Sequence, residues 1–220
     1  MKLTDKSEKR IRPVSLNRER FGKDFPPRSI AIVGVSRKDN SINVGYTGLR
    51  LLRSLKKAEF EGRVYPINPY AGEIEGYKVY ARVTDLPERP EMVTITVPAE
   101  VVPQVLEDCA AAGAKNVQIC TSGFSETGQE QGRMLDAAVR EIAEREGLNI
   151  VGPNCMGFHV PSVKMRMFED VPIHRGPVAF LSQSGGHARI FLIAGPEMGI
   201  GFSTVISYGN ALLMDANDFL

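Results

Sequence analysis

Cysteine is scarce in this 220-residue chain: Cys109, Cys120 and Cys155 are the whole set. They are too few and too widely spaced for a disulfide framework, which points to a reducing, cytoplasmic setting. Charge of either sign is not in excess either. Lys+Arg 27 against Asp+Glu 26 leaves a net charge of +1, so no global field draws the chain to nucleic acid or to a membrane surface. No apolar run is long enough to span a bilayer, and Met1 to Asp24 is charged and lacks the apolar stretch of a signal peptide. Low-complexity tracts and short repeats are absent. So is a G-x-x-x-x-G-K-[ST] loop, which excludes the P-loop class. The run Leu181-Ser182-Gln183-Ser184-Gly185 is not a G-x-S-x-G elbow, which disfavours a hydrolase. Cys155 and His159 are four apart, but two residues fall short of a zinc ligand set, and Cys155 has no evident His-Asp partner as a nucleophile.

What is present is a hydrophobic fraction of 43%, enough for a real core, organised around Arg28 to Tyr46. Ser29 to Val35 is a short, nearly continuous apolar run after Pro26-Pro27, the pattern of a buried parallel strand. A polar loop from Ser36 to Asn43 follows, then a helical pattern near Gly45 with Leu49, Leu52 and Leu55 at spacings of three. Strand, glycine-flanked loop and helix make the anion-binding half of a nucleotide fold, with Arg37 and Lys38 in the loop to neutralise phosphate. The spelling is not that of a dinucleotide fold. G-x-G-x-x-G is missing, and the second strand, Arg63 to Ile67, ends in Asn68-Pro69 instead of an acid. A neutral strand end and cations in the first loop suit a ligand with more phosphate, such as coenzyme A with its 3′-phosphate. An ordinary first β-turn with two solvated cations accounts for the loop equally well.

The alternation continues. Met92 to Val97 reads as a third strand, Ala99 to Ala112 as a helix with Val101, Val102, Val105, Leu106 and Cys109 at helical spacing, and Asn116 to Thr121 as a fourth strand. Glu126 to Glu146 reads as a long amphipathic helix with Met134, Leu135, Ala138, Val139 and Ile142 on one face, and Leu148 to Val151 as a fifth strand. The expected fold is α/β: a doubly wound, Rossmann-like parallel sheet. Its strand ends, Gly34-Val35-Ser36, Asn68-Pro69, Val97-Pro98, Thr121-Ser122-Gly123 and Gly152-Pro153-Asn154, are rich in small, polar or proline residues, as an edge shaped for a ligand is. After a proline-punctuated excursion, Pro177 to Leu181 reads as a strand, His187 to Met198 as a helix, Gly201 to Ser207 as a strand and Asp215 to Leu220 as a helix cap with its first turn. The expected division is an arm over 1–24, a ligand-binding domain over 25–157 and, over 158–220, the opening of a second α/β domain cut short, as in a gene fragment or split subunit.

At this point a resemblance carries further. Phe25 to Ser36 (F-P-P-R-S-I-A-I-V-G-V-S), Val64 to Pro69 (V-Y-P-I-N-P), Thr96 to Pro103 (T-V-P-A-E-V-V-P), Thr121 to Gly128 (T-S-G-F-S-E-T-G), Gly152 to Gly157 (G-P-N-C-M-G) and Leu181 to Gly186 (L-S-Q-S-G-G) run in order. Together they resemble the N-terminal coenzyme A-binding region of the nucleoside-diphosphate-forming acyl-CoA synthetases, the family of ADP-forming acetate–CoA ligase and the succinyl-CoA ligase α subunit. The resemblance implies a second domain of flavodoxin-like type. It also implies a reaction in which acid, coenzyme A and nucleoside triphosphate yield acyl-CoA, nucleoside diphosphate and phosphate, through an acyl phosphate and a phosphohistidine. Carried over by motif, Gly34, Val35, Ser36 and Arg37, with Lys38 beside them, hold the phosphates of coenzyme A. Asn68 and Pro69 line its adenosine side. Val97, Pro98, Cys120, Thr121 and Ser122 line the nucleotide and pantetheine path, and Asn154 and Cys155 lie near the thiol. Ser184, Gly185 and Gly186 open the helix that receives phosphate.

The resemblance also marks departures. Tyr70 stands where the family often has a lysine, which removes a phosphate cation unless Arg37, Lys38 or Arg82 compensates. The family's phosphohistidine lies beyond Leu220, as do the ATP-grasp part and its ATP, ADP and magnesium sites. No catalytic residue is therefore expected within the chain, and His187 reads as a local polar contact. The expected partners are coenzyme A or an acyl-CoA, an ATP-grasp domain or subunit, and the rest of the ligase domain. Apolar surface on a partly built domain also predicts association with such a partner or with a second copy. A non-catalytic coenzyme A-binding regulator is the alternative, and an NAD(H)-binding redox protein a more distant one.

Overall fold

A computed structural model of the chain describes residues 22–37, 47–70 and 72–220. Most of the N-terminal arm and Lys38 lie outside the described residues. The apolar run after Pro27 is β1 (Ser29–Val33), buried along its whole length. Helix α1 (Gly48–Lys57) starts at an N-cap, Thr47, whose side chain accepts a hydrogen bond from Arg50 N. It leads to β2 (Arg63–Ile67) and the small hairpin of β3 (Glu73–Ile74) and β4 (Tyr77–Lys78). Then come β5 (Met92–Ile95), α2 (Val102–Ala111), β6 (Asn116–Ile119), α3 (Glu130–Glu146) and β7 (Asn149–Val151).

The sheet order is β2-β1-β5-β6-β7, all parallel. The chain steps from β1 outward to β2, then crosses back to β5 on the other side. That reversal opens a crevice between the carboxyl ends of β1 and β5, the switch point where open α/β sheets bind ligands. Alternate side chains serve opposite faces. Ala31, Val33, Val93, Ile95, Val117 and Ile119 join Leu106 of α2 and Val139 of α3 in one core. Ile30, Ile32 and Met92 join Leu49, Leu52 and Leu55 of α1 in another.

The second core also contains Phe158, Ile206 and Phe219, so the C-terminal elements pack on the α1 face. There β8 (Gly157–His159) runs antiparallel and β9 (Arg175–Ser182) parallel to a central β10 (Phe202–Ser207). Helix α4 (Gly185–Glu197) covers this sheet through Ala188 and Leu192, and the short α5 (Ala216–Phe219) follows, capped by Asp215. Among the described residues no helix is long and apolar enough to cross a membrane.

Three details differ from the periodicity. Strands β5 and β6 stop two residues early, at Ile95 and Ile119, which releases Thr96-Val97 and Cys120-Thr121 to the crevice. Residues Ser125–Thr127 form a separate turn, and α3 begins only at Glu130, because the Glu126 carboxylate turns back to accept from Gly123 N and Phe124 N. Met134 is 65% exposed: α3 buries Val139, Ile142 and Ala143, and Met134 lies five positions from Val139, about 140° round the helix. Val101 likewise stays outside, 43% exposed, in the single turn before α2.

Candidate functional site

The first half of the site is made of glycines. Gly34 takes a φ of +97°, open to glycine alone without strain, and Gly34 N and Val35 N both donate to Ile67 O at 3.0 and 3.3 Å. Asn68 Nδ2 donates to Val35 O at 2.7 Å, so the ends of β1 and β2 form one unit. Asn68 Oδ1 in turn accepts from Tyr70 N at 2.8 Å, a local turn that leaves the Tyr70 ring 95% exposed. A Cβ on Gly34 would sit 2.9 Å from Thr96 Oγ1, and one on Gly48 would sit 2.8 Å from the same atom. The start of α1 is therefore pressed against the ends of β1 and β5. Gly48 fills the role of the last glycine in a dinucleotide fingerprint, displaced along the chain by a longer loop. Arg37 donates to Glu73 O through Nε and Nη2 at 3.3 and 3.2 Å and is exposed. Arg82 is held in a two-point ion pair by Asp108.

Beside this lies a cleft of about 1190 Å³. Thr96-Val97-Pro98, Cys120-Thr121-Ser122 and Asn154-Cys155-Met156 line it from the parallel sheet, and Ser182 to His187 with Gly209-Asn210 from the second. The structure thus gathers Val97, Pro98, Cys120, Thr121, Ser122, Asn154, Cys155, Ser184, Gly185 and Gly186 around one space. Gly34 to Arg37 and Asn68-Pro69 occupy the neighbouring strand ends, joined to the cleft through Thr96. Thr96, Met156, Ser182 and Gln183 fall within the motif stretches but carry no expected site role, and Gly209-Asn210 lies outside them, although it follows the carboxyl end of β10 as the other site residues follow theirs.

The described lining contains no Asp, Glu, Lys or Arg. Thr96 Oγ1 donates to Val33 O at 2.8 Å and Thr121 Oγ1 to Val97 O at 2.6 Å, which leaves their lone pairs as acceptors. Neutral donors and acceptors of this kind fit an uncharged, amide-bearing chain such as pantetheine. The helix N-terminus at Ser184 and the cations nearer β1 fit phosphate. Ser184 Oγ caps α4 by accepting from His187 N at 3.3 Å. Burial, reinforced by the adjoining Cys155 thiol, pushes the Cys120 pKa up, so it rests as a thiol. Cys109 is pushed up to about 12 by burial in the opposite core, away from the cleft. No group of three or more metal-ligating side chains occurs among the described residues.

The cleft is closed by a tie between the two sheets. Asn210 N donates to Pro153 O at 2.9 Å and Leu212 N to Gly152 O at 3.0 Å. A Cβ on Gly209 would lie 2.2 Å from Pro153 O, so only glycine allows this approach.

A glycine-lined switch-point crevice on a doubly wound sheet defines a nucleotide-type binding protein. The chain belongs to the CoA-binding domain family, which it matches over residues 28–161, and residues 175–220 match the succinyl-CoA ligase-like flavodoxin domain. It is 38% identical over 207 residues to the ADP-forming acetate–CoA ligase of Methanocaldococcus jannaschii, covering 91% of this chain and 28% of that protein. It is 37% identical over 201 residues to the α subunit of ADP-forming acetate–CoA ligase I of Pyrococcus furiosus, covering 89% of this chain and 42% of the subunit. Among solved structures, the Ca. Korarchaeum cryptofilum dinucleotide-forming acetyl-coenzyme A synthetase 1, in complex with phosphate and ADP, superposes with a TM-score of 0.78 at 36% identity, over 87% of this chain and 40% of that one. The chain therefore spans less than half the length of these relatives.

Proposed function

We propose that this chain is the coenzyme A-binding portion of an NDP-forming acyl-CoA synthetase. The observation that carries the reading is the neutral cleft of about 1190 Å³ that runs from the glycine-lined end of β5 to the N-terminus of α4. Coenzyme A lies across the carboxyl ends of the sheet. Gly34 to Arg37 take its phosphates, and Asn68-Pro69 take the adenosine side. The pantetheine arm runs past Val97-Pro98 and Cys120 to Ser122, and its thiol ends near Asn154 and Cys155. The first-turn N–H groups of α4, after Ser184, hold phosphate or the phosphate of an acyl phosphate. Attack of the thiol on that acyl carbon would give acyl-CoA and phosphate, with this chain supplying orientation and water exclusion. The boundary we propose between the two domains follows Gly157, six residues after the parallel sheet ends at Val151 and at the start of β8 in the second sheet. Nucleotide chemistry belongs to an ATP-grasp domain or subunit and a phosphohistidine segment. Exposed Val178 on β9 and Ile190, Ile193 and Met198 on or just after α4 support association with such a partner.

Calorimetric titration of the purified chain with coenzyme A, dephospho-coenzyme A and NADH tests the reading. Coenzyme A should bind, the dephospho form more weakly and NADH not at all. No coenzyme A binding at millimolar ligand would overturn it.

A further inference from the structure

The two cysteines of the cleft are neighbours in space. Cys120 follows β6 and Cys155 follows β7, and the backbone stays paired beyond both strands. Asn154 N donates to Thr121 O at 2.9 Å and Cys155 N to Ile119 O at 3.4 Å. These bonds bracket Cys120, which sets the two cysteine thiols next to each other, while Cys155 Sγ itself donates to Ile119 O at 3.3 Å and Val151 O at 3.6 Å. A disulfide spans Cα separations of about 4.4–6.8 Å, and the two flanking bonds hold Cys155 against residues 119–121, the segment that contains Cys120. Both residues line the cleft, Cys120 half-buried and Cys155 buried, so a reagent entering the cleft meets Cys120 first. Cys109 is buried on the inner side of α2, in the core on the opposite face of the sheet, and serves as an internal control.

We propose that Cys120 and Cys155 are a dithiol–disulfide modification site on the floor of the cleft, oxidised by a low-molecular-weight disulfide. Cys120 loses its proton to solvent and attacks one sulfur of the disulfide RS–SR. That bond breaks, a Cys120–S–SR bond forms, and RS⁻ leaves and takes up a proton. Cys155 then gives up its proton and attacks the Cys120 sulfur. The protein disulfide forms and a second RSH departs. Two protein thiols are oxidised while one RS–SR is reduced to two RSH. Because burial and the neighbouring thiol raise the Cys120 pKa, exchange is slow at neutral pH and accelerates about tenfold per pH unit on the alkaline side. The bond would lock the ends of β6 and β7 and remove both thiols from the path proposed for pantetheine. That last consequence rests on the proposed function, whereas formation of the bond does not.

The test treats the reduced chain at pH 8 with excess glutathione disulfide, alkylates the remaining thiols and identifies the peptides by mass spectrometry. The expected product is a Cys120–Cys155 cross-linked peptide lighter by two hydrogens, with Cys109 alkylated. Cys155→Ser should trap a glutathione adduct on Cys120, since the resolving thiol is gone. A stable adduct on the unsubstituted chain with no cross-link overturns the proposal. Coenzyme A titration of oxidised and reduced protein separates the two readings. About tenfold weaker binding after oxidation, equivalent to about 1.4 kcal/mol, supports the site and its place on the ligand path. A cross-link that leaves binding unchanged overturns that placement, and failure of the reduced chain to bind coenzyme A overturns the proposed function while the disulfide result stands.

Discussion

Glu126 Oε2 accepts a 2.6 Å hydrogen bond from Asn210 Nδ2, across 84 positions of sequence. The same carboxylate accepts from Gly123 N at 2.6 Å and from Phe124 N at 3.2 Å, and Asn210 Oδ1 accepts from Asn154 Nδ2 at 3.3 Å. One acid thus ties together the loops after β6, β7 and β10, which are three walls of the cleft. Its desolvation alone would raise the Glu126 pKa. The bonds from Gly123 and Asn210 outweigh that and hold it below the ordinary carboxylate value.

Glu126→Ala should therefore loosen the cleft more than it unfolds the protein. The carboxylate is exposed, so its loss should cost only about 1 kcal/mol of stability, read as a small drop in Tm. Coenzyme A affinity should fall further, because Asn210 and Asn154 lose their common anchor. Asn210→Ala should reproduce the affinity loss, and the double variant should be no worse than the single ones. Additive losses in the double variant would count against a single linked clamp.

His159 gives a pH signature of stability. It is completely buried on β8, neither ring nitrogen has a hydrogen-bond partner, and burial, followed by the nearby Arg166 charge, lowers its pKa from 6.5 to about 4. Arg166 makes its own hydrogen bonds to Ser54 Oγ, Ser54 O and Val171 O, all neutral acceptors. The unfolded chain takes up the His159 proton near 6.5 and the folded chain only near 4. The contribution to stability is thus whole above 6.5 and is lost as pH falls toward 4, at about 1.4 kcal/mol per unit and about 3 kcal/mol in all. Urea midpoints measured from pH 8 to pH 4 should fall in that window for the natural chain. They should fall much less for His159→Met.

The strand grammar was legible because parallel strands buried on both faces are continuous apolar runs, as Ser29 to Val33 and Met92 to Ile95 are. The ligand edge was legible because every strand end beside it is made of small or polar residues. What escaped depends on contacts between distant segments. Gly48 is recognisable as a site glycine only once Thr96 is seen wedged between it and Gly34. Asn210 acquires its role from Glu126 and Pro153, which no local pattern announces. Met134 matched the apolar period yet faces solvent, because the second sheet packs against α1 and leaves that side of α3 uncovered.

Gly34→Ala tests the close packing at the switch point. The φ of +97° is strained for any side chain, and the new Cβ would lie 2.9 Å from Thr96 Oγ1 and 3.0 Å from Val97 Cγ1. Strain of this kind costs about 1–3 kcal/mol, a loss of roughly 2–12 °C in Tm for a domain of this size. Thr96 and Val97 must shift into the cleft, so coenzyme A affinity should drop with stability. Thr96→Ser in the Gly34→Ala background leaves Oγ1 in place and should not rescue it; Thr96→Ala removes that atom and should recover part of the loss.

Tyr70→Lys is a gain-of-affinity experiment. Tyr70 follows Asn68-Pro69 at the end of β2, is 95% exposed, and gives only its backbone N–H to Asn68 Oδ1. Of the cations expected to take phosphate, Arg82 is committed to Asp108 and Arg37 donates to Glu73 O. A lysine at 70 therefore adds a charge that the proposed adenosine side lacks, at no cost in packing. A single exposed cation near a phosphate contributes about 0.5–1 kcal/mol, so coenzyme A should bind about two- to fivefold more tightly. Dephospho-coenzyme A, without the 3′-phosphate, should bind as before, and the gain should shrink as salt rises, since exposed charges are screened over about 8 Å at physiological ionic strength. Equal tightening for both ligands would mean that the lysine meets the pyrophosphate, and the adenosine end of coenzyme A would have to be moved away from Asn68-Pro69.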